Sequence, residues 1–334
     1  MSLTIIKAGL LDTVQDLGRI GFSNWGVNPG GAMDPYAAKL SNILAGNEVH
    51  EAVIEMHFPG PQILFNQNAL ISITGADFTP LINDQPVSLW QPILVRKNTV
   101  LQLSQWKQGA RCYLAVHGGI CVPKWLDSYS TNIKVGAGGW NGRKLEKGDL
   151  LYFGESRIYH AGMLKQELDL QPLGWKACTR AQYENPNEIF FLPGHEWKLL
   201  HPISQNDFCN EPFSVHQLSD RMGYHLKGMP LTLTENKDML SSGVSFGTIQ
   251  FLPKGQLIAL MADHQTTGGY PRIAHIVTAH LPKFAQLRPG DDIRFIMTDL
   301  PTAEKMYFLQ QQQICIMQRA CSCNLNKMTC SKLT

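Results

Sequence analysis

The sequence predicts a mainly β protein whose N-terminal and C-terminal parts are related domains carrying a few short helices. Punctuation is the first support. Between Val53 and Phe153, short apolar or alternating segments are broken at Pro59-Gly60, Gly75, Asn83-Asp84, Lys97-Asn98, Gly109, Gly118-Gly119 and Gly148-Asp149. Turns at that spacing indicate an antiparallel sheet closed into a barrel or stacked as a sandwich. A second β-rich run begins at Ile189, beyond a polar, mixed stretch from Glu155 to Asn187. The third support is an internal echo: Leu145 to Phe153 and Leu287 to Phe295 share Leu, Gly-Asp, an aliphatic residue and Phe in register. Unrelated Gly-Asp hairpins would give the same short match, but the similar β-richness of both halves favours duplication. The domains are placed at 1–170 and 171–300, followed by a terminal segment at 301–334.

Taken in order, Ile5 to Val14 reads as extended chain, and Gln15 leads into a Gly-rich loop running to Gly31. A helix follows, because Asp34 is a good N-cap, Pro35 suits the first helical position and Gly46 can supply the left-handed C-terminal residue. Gly30-Gly31 before this helix could cradle an anion, yet the Asp34 carboxylate would cap the same N–H groups, so capping is favoured. Near the end, Ala303 to Leu309 suggests a short helix, then a loosely ordered tail carrying Cys315, Cys321, Cys323 and Cys330. Their spacing is not a repeated CxxC and no His lies nearby, which disfavours zinc.

Of the 334 residues, 44% are hydrophobic and 17% charged, and 29 basic against 27 acidic side chains leave a net charge of only +2. That balance gives no reason to expect nucleic acid or an anionic membrane as partner. The chain shows no signal-peptide pattern and no apolar run near the roughly 18 residues that span a bilayer, so a cytoplasmic location is expected. In that compartment Cys112, Cys121, Cys178 and Cys209, scattered among apolar segments, are expected to be buried free thiols.

The stretch from Met261 to Ile276 is the least explicable as packing. An apolar run, Leu257 to Met261, enters a polar, Gly-containing loop and returns through Tyr270 and Pro271 to a second apolar run. Asp263, His264, Gln265, Thr266 and Thr267 put a carboxylate, an imidazole, an amide and hydroxyls on one turn, and Gly268-Gly269 lets a ligand approach the backbone. His264 beside Asp263 suits a general base with an orienting carboxylate better than a metal ligand, since no second His stands at ligand spacing. Ser219 to Tyr224 places a hydroxyl, Asp220 and Arg221 before a Gly. Either a ligand contact or an ordinary Asp turn with a paired Arg fits it, and Gln15 to Arg19, with Asp16 and Arg19, has the same makeup and ambiguity.

Other patterns are weaker. Gly243 to Gly247 matches Gly-x-Ser-x-Gly, but Thr248 onward continues as a strand, whereas a nucleophile elbow needs a helix there. The run Gly136 to Gly139 lacks the dinucleotide fingerprint and a following helix, and no P-loop occurs. No Ala/Val-Met-Lys-Met biotin acceptor is present, so biotin chemistry would need another polypeptide.

Together, Thr13 to Gly21, Gly26 to Asp34, Arg111 to Gly119, Ser219 to Tyr224 and Met261 to Pro271 resemble the biotin-dependent carboxyltransferase family. That family includes the C subunit of the bacterial ATP-dependent 5-oxoprolinase, the KipA-type kinase-inhibitor antagonist (allophanate hydrolase subunit 2) and the second half of the urea carboxylase carboxyltransferase region. The resemblance implies two cyclophilin-like β-barrel domains. It further implies a KipI-like B subunit and an A subunit as partners, which with this chain would open 5-oxo-L-proline to L-glutamate using ATP. Alternatives are a KipA-like protein that sequesters a KipI-type inhibitor, and a biotin-dependent carboxyltransferase acting on urea or a small amide. Under the first reading Asp263, His264 and Asp220 are the candidate catalytic residues. Arg221, Gln265, Thr266, Thr267, Gly268, Gly269, Tyr270, Asp16 and Arg19 are the candidate substrate-binding residues, and no metal is expected. The sequence departs from the family pattern at Gly30, where Ser is common, and at His225 and His264, where Arg is common. Histidine replaces a permanent charge only when protonated.

Overall fold

The computed structural model describes residues 1–154, 168–235 and 239–330. Part of the polar stretch expected to separate the domains, 155–167, lies outside the described residues. By contact the chain divides into two compact units, the first holding 1–18, 34–178 and 312–334 and the second 19–33 and 179–311.

In the first unit the strands are β1 (Ser2–Lys7), β2 (Thr13–Gln15), β3 (Val53–Met56), β4 (Gln62–Phe65), β5 (Ala69–Asp77), β6 (Pro80–Ile82), β7 (Gln85–Pro86), β8 (Pro92–Val95), β9 (Val100–Leu103), β10 (Gln108–Val116), β11 (Leu150–Tyr152) and β12 (Leu170–Pro172). They form a six-stranded sheet of order β11-β1-β4-β9-β6-β7 and another of order β12-β8-β5-β10-β3-β2. Leu3, Ile5, Ile63, Phe65, Ile54, Ile71, Ile73 and Leu114 are fully buried in one apolar core, as period-2 alternation requires. The extended run expected over Ile5 to Val14 is interrupted, because the Asp12 carboxylate accepts the Gly9 N–H at 2.7 Å and turns the chain between β1 and β2. Helix α1 (Pro35–Ala45) starts and stops as expected: Asp34 Oδ1 accepts the Ala37 N–H at 2.9 Å, and Gly46 sits at φ 75°.

The second unit carries α2 (Arg180–Tyr183), β13 (Glu188–Pro193), α3 (Pro202–Asn210), β14 (Phe213–Val215), β15 (Gly223–Lys227), β16 (Ser242–Gly243), β17 (Thr248–Phe251), β18 (Leu257–Leu260), β19 (Thr267–Gly268), β20 (Arg272–Ile276), α4 (Leu281–Ala285) and β21 (Asp292–Met297). Its barrel closes in the order β13-β20-β17-β18-β15-β14-β21, and β16 pairs with β19 as a separate two-stranded ribbon. The barrel is packed through aromatic residues: Phe208 stacks on Phe295 at 4.8 Å and meets Phe191 edge-on at 4.9 Å. The mainly β reading is therefore borne out.

Connectivity differs from the contiguous division at 170/171 and 300/301. Residues 19–33 fold with the second unit, where Met33 is fully buried among Ile189, Trp197 and Phe284. Strand β12 spans the expected boundary and pairs with β8 of the first unit. The terminal segment forms one helix, α5 (Leu300–Cys330), in place of a short helix and a loose tail. Ala303, Gln310, Ile314, Cys321 and Leu325 are buried at heptad-like spacing, and no Gly or Pro interrupts the chain after Pro301. In the first unit Leu325 packs with Leu70, Leu94 and Leu173. Among the described cysteines all are free; Cys112 is buried as expected, whereas Cys121 and Cys178 are exposed and Cys209 is half-buried.

Both halves of the internal echo are the same turn. Gly148 and Gly290 take φ 96° and 94°, a region open to glycine, and each is followed by an Asp whose carboxylate accepts the N–H three residues back. Those bonds, from Glu146 to Asp149 and from Arg288 to Asp291, are both 2.8 Å. The flanking Leu145, Phe153, Leu287 and Phe295 are all buried, so each turn launches a strand from its own core.

Candidate functional site

The polar centre of the second unit is built on Arg221 and Asp263. Arg221 precedes β15 and Asp263 follows β18, and those strands pair in antiparallel register from Gly223 opposite Leu260. The pairing continues past their ends, with Met261 N–H on Met222 O at 2.9 Å and Asp263 N–H on Arg221 O at 2.8 Å. The side chains are thereby brought into a bidentate ion pair, Nε to Oδ2 at 2.8 Å and Nη2 to Oδ1 at 3.0 Å. Their side chains are only 7% and 13% exposed. Segment 19–33 closes over this pair. Arg221 Nη2 donates to Gly31 O at 2.6 Å, and Asn28 Nδ2 donates to Asp263 O at 3.1 Å. Arg19 is buried beside them, its N–H on Pro29 O at 2.7 Å. A Cβ on Gly30, which has φ 63°, would lie 2.6 Å from Arg19 Nη1 and 3.6 Å from Asp263 Oδ1. Glycine at this position therefore leaves room for the guanidinium. Breaking one partner of such a buried pair costs about 3–5 kcal/mol, since the other charge stays out of water.

Sequence-adjacent candidates part company here. His264 is 3% exposed and its Nδ1 contacts Gln265 O. A carbonyl only accepts, so Nδ1 carries the proton and the neutral ring leaves its lone pair on Nε2. Burial pushes the His264 pKa down, against the opposing pull of the Gln265 carbonyl and the Asp263 charge. Asp220 is exposed and lies in a turn rather than on a strand, its Oδ1 accepting from Met222 N at 2.7 Å and Gly223 N at 3.2 Å. Thr267 and Gly268 form β19 and pair with Gly243 and Ser242, while Val244 N–H bonds Thr266 O at 3.1 Å. Gly269 and Tyr270 continue to the surface, where Tyr270 is 44% exposed. The loop thus has an ionic, buried root at Asp263-His264 and an accessible tip at Thr267 to Tyr270. Arg272 braces the far end: it grips Glu196 through Nε at 3.0 Å and Nη2 at 2.8 Å, and reaches Gly243 O at 3.3 Å. Burial alone would raise the Glu196 pKa, yet the Arg272 bonds hold it below the usual carboxylate value.

Gln250 escaped the sequence reading. It lies on β17, whose Thr248, Ile249, Gln250 and Phe251 are all buried. Its Oε1 accepts from Gln265 Nε2 at 3.3 Å, while its Nε2 has no hydrogen-bond partner among the described residues. A Cβ on Gly268 would meet that nitrogen at 2.5 Å. An orphaned donor behind the ribbon is a cost of about 1–3 kcal/mol that packing does not repay. The available signal was a lone amide inside an otherwise β-branched and aromatic strand.

In the first unit Asp16 is caged. Its Oδ1 accepts from the Ser128 and Ser130 hydroxyls and, at 2.8 Å, from Gly18 N, while Oδ2 accepts from Tyr129 N at 2.7 Å. The carboxylate ties the loop at 128–130 to the end of β2. Beyond it, Thr13, Glu55, Tyr113 and Thr74 stand opposite one another across β2, β3, β10 and β5. The adjacent Val14, Ile54, Leu114 and Ile73 face the apolar core, so this ladder occupies the other side of the sheet. Tyr113 Oη donates to Glu55 Oε2 at 2.8 Å and accepts the Asp34 N–H at 2.8 Å. Burial, with the charges of Glu55 and Asp34, raises the Tyr113 pKa well above the usual phenol value. No local motif announces such a ladder, because its members come from four strands.

The run Gly136 to Gly139 lies in a loop closed by local backbone bonds. Asn132 and Ala137 exchange backbone bonds of 2.8 and 3.2 Å, and Gly142 N–H is used by Gly138 O at 2.8 Å. A Cβ on Gly139 would collide with Thr131, and one on Gly142 with Gly136. These glycines let the loop pack on itself. Among the described residues no group of three or more His, Cys, Asp or Glu is placed to hold a metal ion. No helix among them is long and apolar enough to cross a membrane.

The second unit is thus a closed barrel whose signature loop is rooted in an Arg–Asp pair, and the first unit carries the same Gly-Asp turn before a strand of its own core. Residues 25–297 match the family model "Carboxyltransferase domain, subdomain A and B", and the chain belongs to that family. It is 36% identical over 294 residues to the C subunit of 5-oxoprolinase from Haemophilus influenzae, an alignment covering 88% of this chain and 90% of the relative. Identity to the C subunit of 5-oxoprolinase from Escherichia coli is also 36%, over 310 residues, 93% of this chain and 96% of the relative. The crystal structure of Kluyveromyces lactis urea carboxylase superposes with a TM-score of 0.83 at 27% identity, covering 95% of this chain but only 29% of that one.

Proposed function

We propose that this chain is the C subunit of a 5-oxoprolinase, acting with a KipI-like B subunit and an A subunit to open 5-oxo-L-proline to L-glutamate at the expense of ATP, in the cytoplasm. The observation that carries this reading is end-to-end correspondence. The two bacterial 5-oxoprolinase C subunits are matched over 90% and 96% of their length, whereas the urea carboxylase is matched over 29%. The glycine run at 136–139 packs on itself and the sequence has no biotin acceptor, so nucleotide and biotin chemistry are assigned to partner polypeptides.

Within that function the loop divides its labour. Asp263 has both oxygens on Arg221 and His264 is buried and neutral, so this root positions the loop and is not the source of a free base. Gln265, Thr266, Thr267, Gly268, Gly269 and Tyr270 form the face offered to a small carboxylated lactam, through hydroxyls, amide and backbone N–H groups that orient its carbonyl and carboxylate. Asp220 is the accessible carboxylate available for proton transfer, while Arg19 and Arg221 hold the site's positive charge.

The test is reconstitution with B and A partners and an assay of L-glutamate formed from 5-oxoproline. Turnover that requires this chain and ATP supports the reading. A complex that assembles but shows no turnover at saturating substrate points to the sequestering, KipA-like role. Carboxylation of urea from carboxybiotin, with no glutamate formed, points to the carboxyltransferase role favoured by the fold match.

A further inference from the structure

On the outer face of the second unit's barrel lies a cavity of about 380 Å³ to which the signature loop contributes nothing. Its basic character follows from strand geometry. Along β15 the buried Tyr224 and Leu226 face the core, so His225 and Lys227 project outward. Just past β14, the His216 N–H bonds His225 O at 2.8 Å and sets the imidazoles side by side. His216 Nδ1 accepts the Leu218 N–H at 3.2 Å, which leaves Nε2–H as its free donor. Lys254 enters from the turn before β18 at φ 70°, a strained conformation for a lysine. Lining is completed by apolar groups, among them Leu218 and Met229, which are 74% and 54% exposed. Among its described lining residues the cavity has no carboxylate. Among the described residues the side chains of His225, Lys227 and Lys254 have no hydrogen bond or ion pair.

Unpaired cations from β15 and from the turn before β18, imidazole donors on the far side of Lys227 and apolar lining groups call for an anionic ligand with an aliphatic body. We propose that this cavity binds a small aliphatic dicarboxylate, one carboxylate at Lys227 with the imidazoles and the other at Lys254. Phosphate is disfavoured because the described lining residues offer neither an arginine fork nor a helix N-terminus. Metal binding is disfavoured by the lysines and by the absence of a third ligand among the described residues. The site is independent of the 5-oxoprolinase assignment, since it shares no residue with the loop at 263–270.

Isothermal titration of the isolated full chain with glutarate, without partner subunits, tests the proposal separately from any catalytic role. Saturable one-to-one binding is expected, weakened about tenfold or more by Lys227→Ala or by Lys254→Gly, the latter chosen because glycine suits the positive φ. Butyrate, with a single carboxylate, is expected to bind about tenfold more weakly. Unchanged melting temperatures establish that the variants are folded. Absence of saturable glutarate binding, binding unaffected by both substitutions, or inorganic phosphate binding as tightly as glutarate would each overturn the proposal.

Discussion

Asp16 and Asp220 open similar loops and make the same local bond, each carboxylate accepting the N–H two residues on, Gly18 at 2.8 Å and Met222 at 2.7 Å. Their surroundings are opposite. Asp16 is 6% exposed and also carries Ser128, Ser130 and the Tyr129 N–H, whereas Asp220 stays exposed and bonds only within its own turn. At the signature loop of the second unit the carboxylate tied to a distant partner is instead Asp263, paired with Arg221. One local pattern thus becomes a long-range tie in one unit and an accessible acid in the other. Burial and the partners supplied by distant chain decide which.

The largest effect that would break this comparison is expected from Asp263→Ala, which strands Arg221 away from water and should lower stability by about 3–5 kcal/mol in denaturant titrations. Asp16→Ala leaves buried hydroxyls and an N–H without their acceptor and should cost about 3 kcal/mol. The matching Asp220→Ala should cost under about 1 kcal/mol. Equal losses at the Asp16 and Asp220 positions would remove the distinction.

The units should also respond oppositely to pH. In the second, His280 stacks on Phe190 at 4.8 Å and its Nδ1 accepts the Phe190 N–H at 3.1 Å. Burial first, then Lys283, pushes its pKa from 6.5 down to about 4, against a backbone bond from Glu188. The unfolded chain therefore takes up this proton first, and stability is lost as pH falls from about 6.5 to about 4. In the first unit burial pushes the Asp12 carboxyl from 3.8 up to about 7, against backbone bonds from Gly9 and His57 and the Lys144 charge. Its contribution is full below about 4 and lost as pH rises through about 7. Denaturation midpoints measured across pH should lose the acid limb in His280→Asn and the limb toward neutrality in Asp12→Asn. The smallest effect sharpens the likeness of the closing turns: Gly148→Ala and Gly290→Ala should each cost about 1 kcal/mol, since both positions have positive φ.

Features with a local cause were legible in the sequence. The α1 caps at Asp34 and Gly46, the repeated Gly-Asp turn, and the strand, loop and strand around Asp263 all follow from neighbours a few residues apart. Long-range choices were not. Nothing near Gly30 signals that residues 19–33 leave the first unit to close over Asp263, nor do Thr13, Glu55, Thr74 and Tyr113 announce a shared sheet face. Helix α5 runs well beyond the expected Ala303 to Leu309 because helix-forming residues continue without Gly or Pro after Pro301, whereas the buried face that anchors it depends on distant chain. Of the loop, its polarity was evident; its division into a buried root and an accessible tip needed the Arg221 pair and the β16–β19 ribbon.

That division is tested most directly by steady-state glutamate release from the reconstituted complex carrying Thr267→Ala and Tyr270→Ala together, alongside the melting temperature of the same chain. The expected result is a loss in kcat/KM of about tenfold or more at an unchanged melting temperature, as for exposed groups that touch substrate. Full activity in the double variant would contradict the assignment of this face to the substrate.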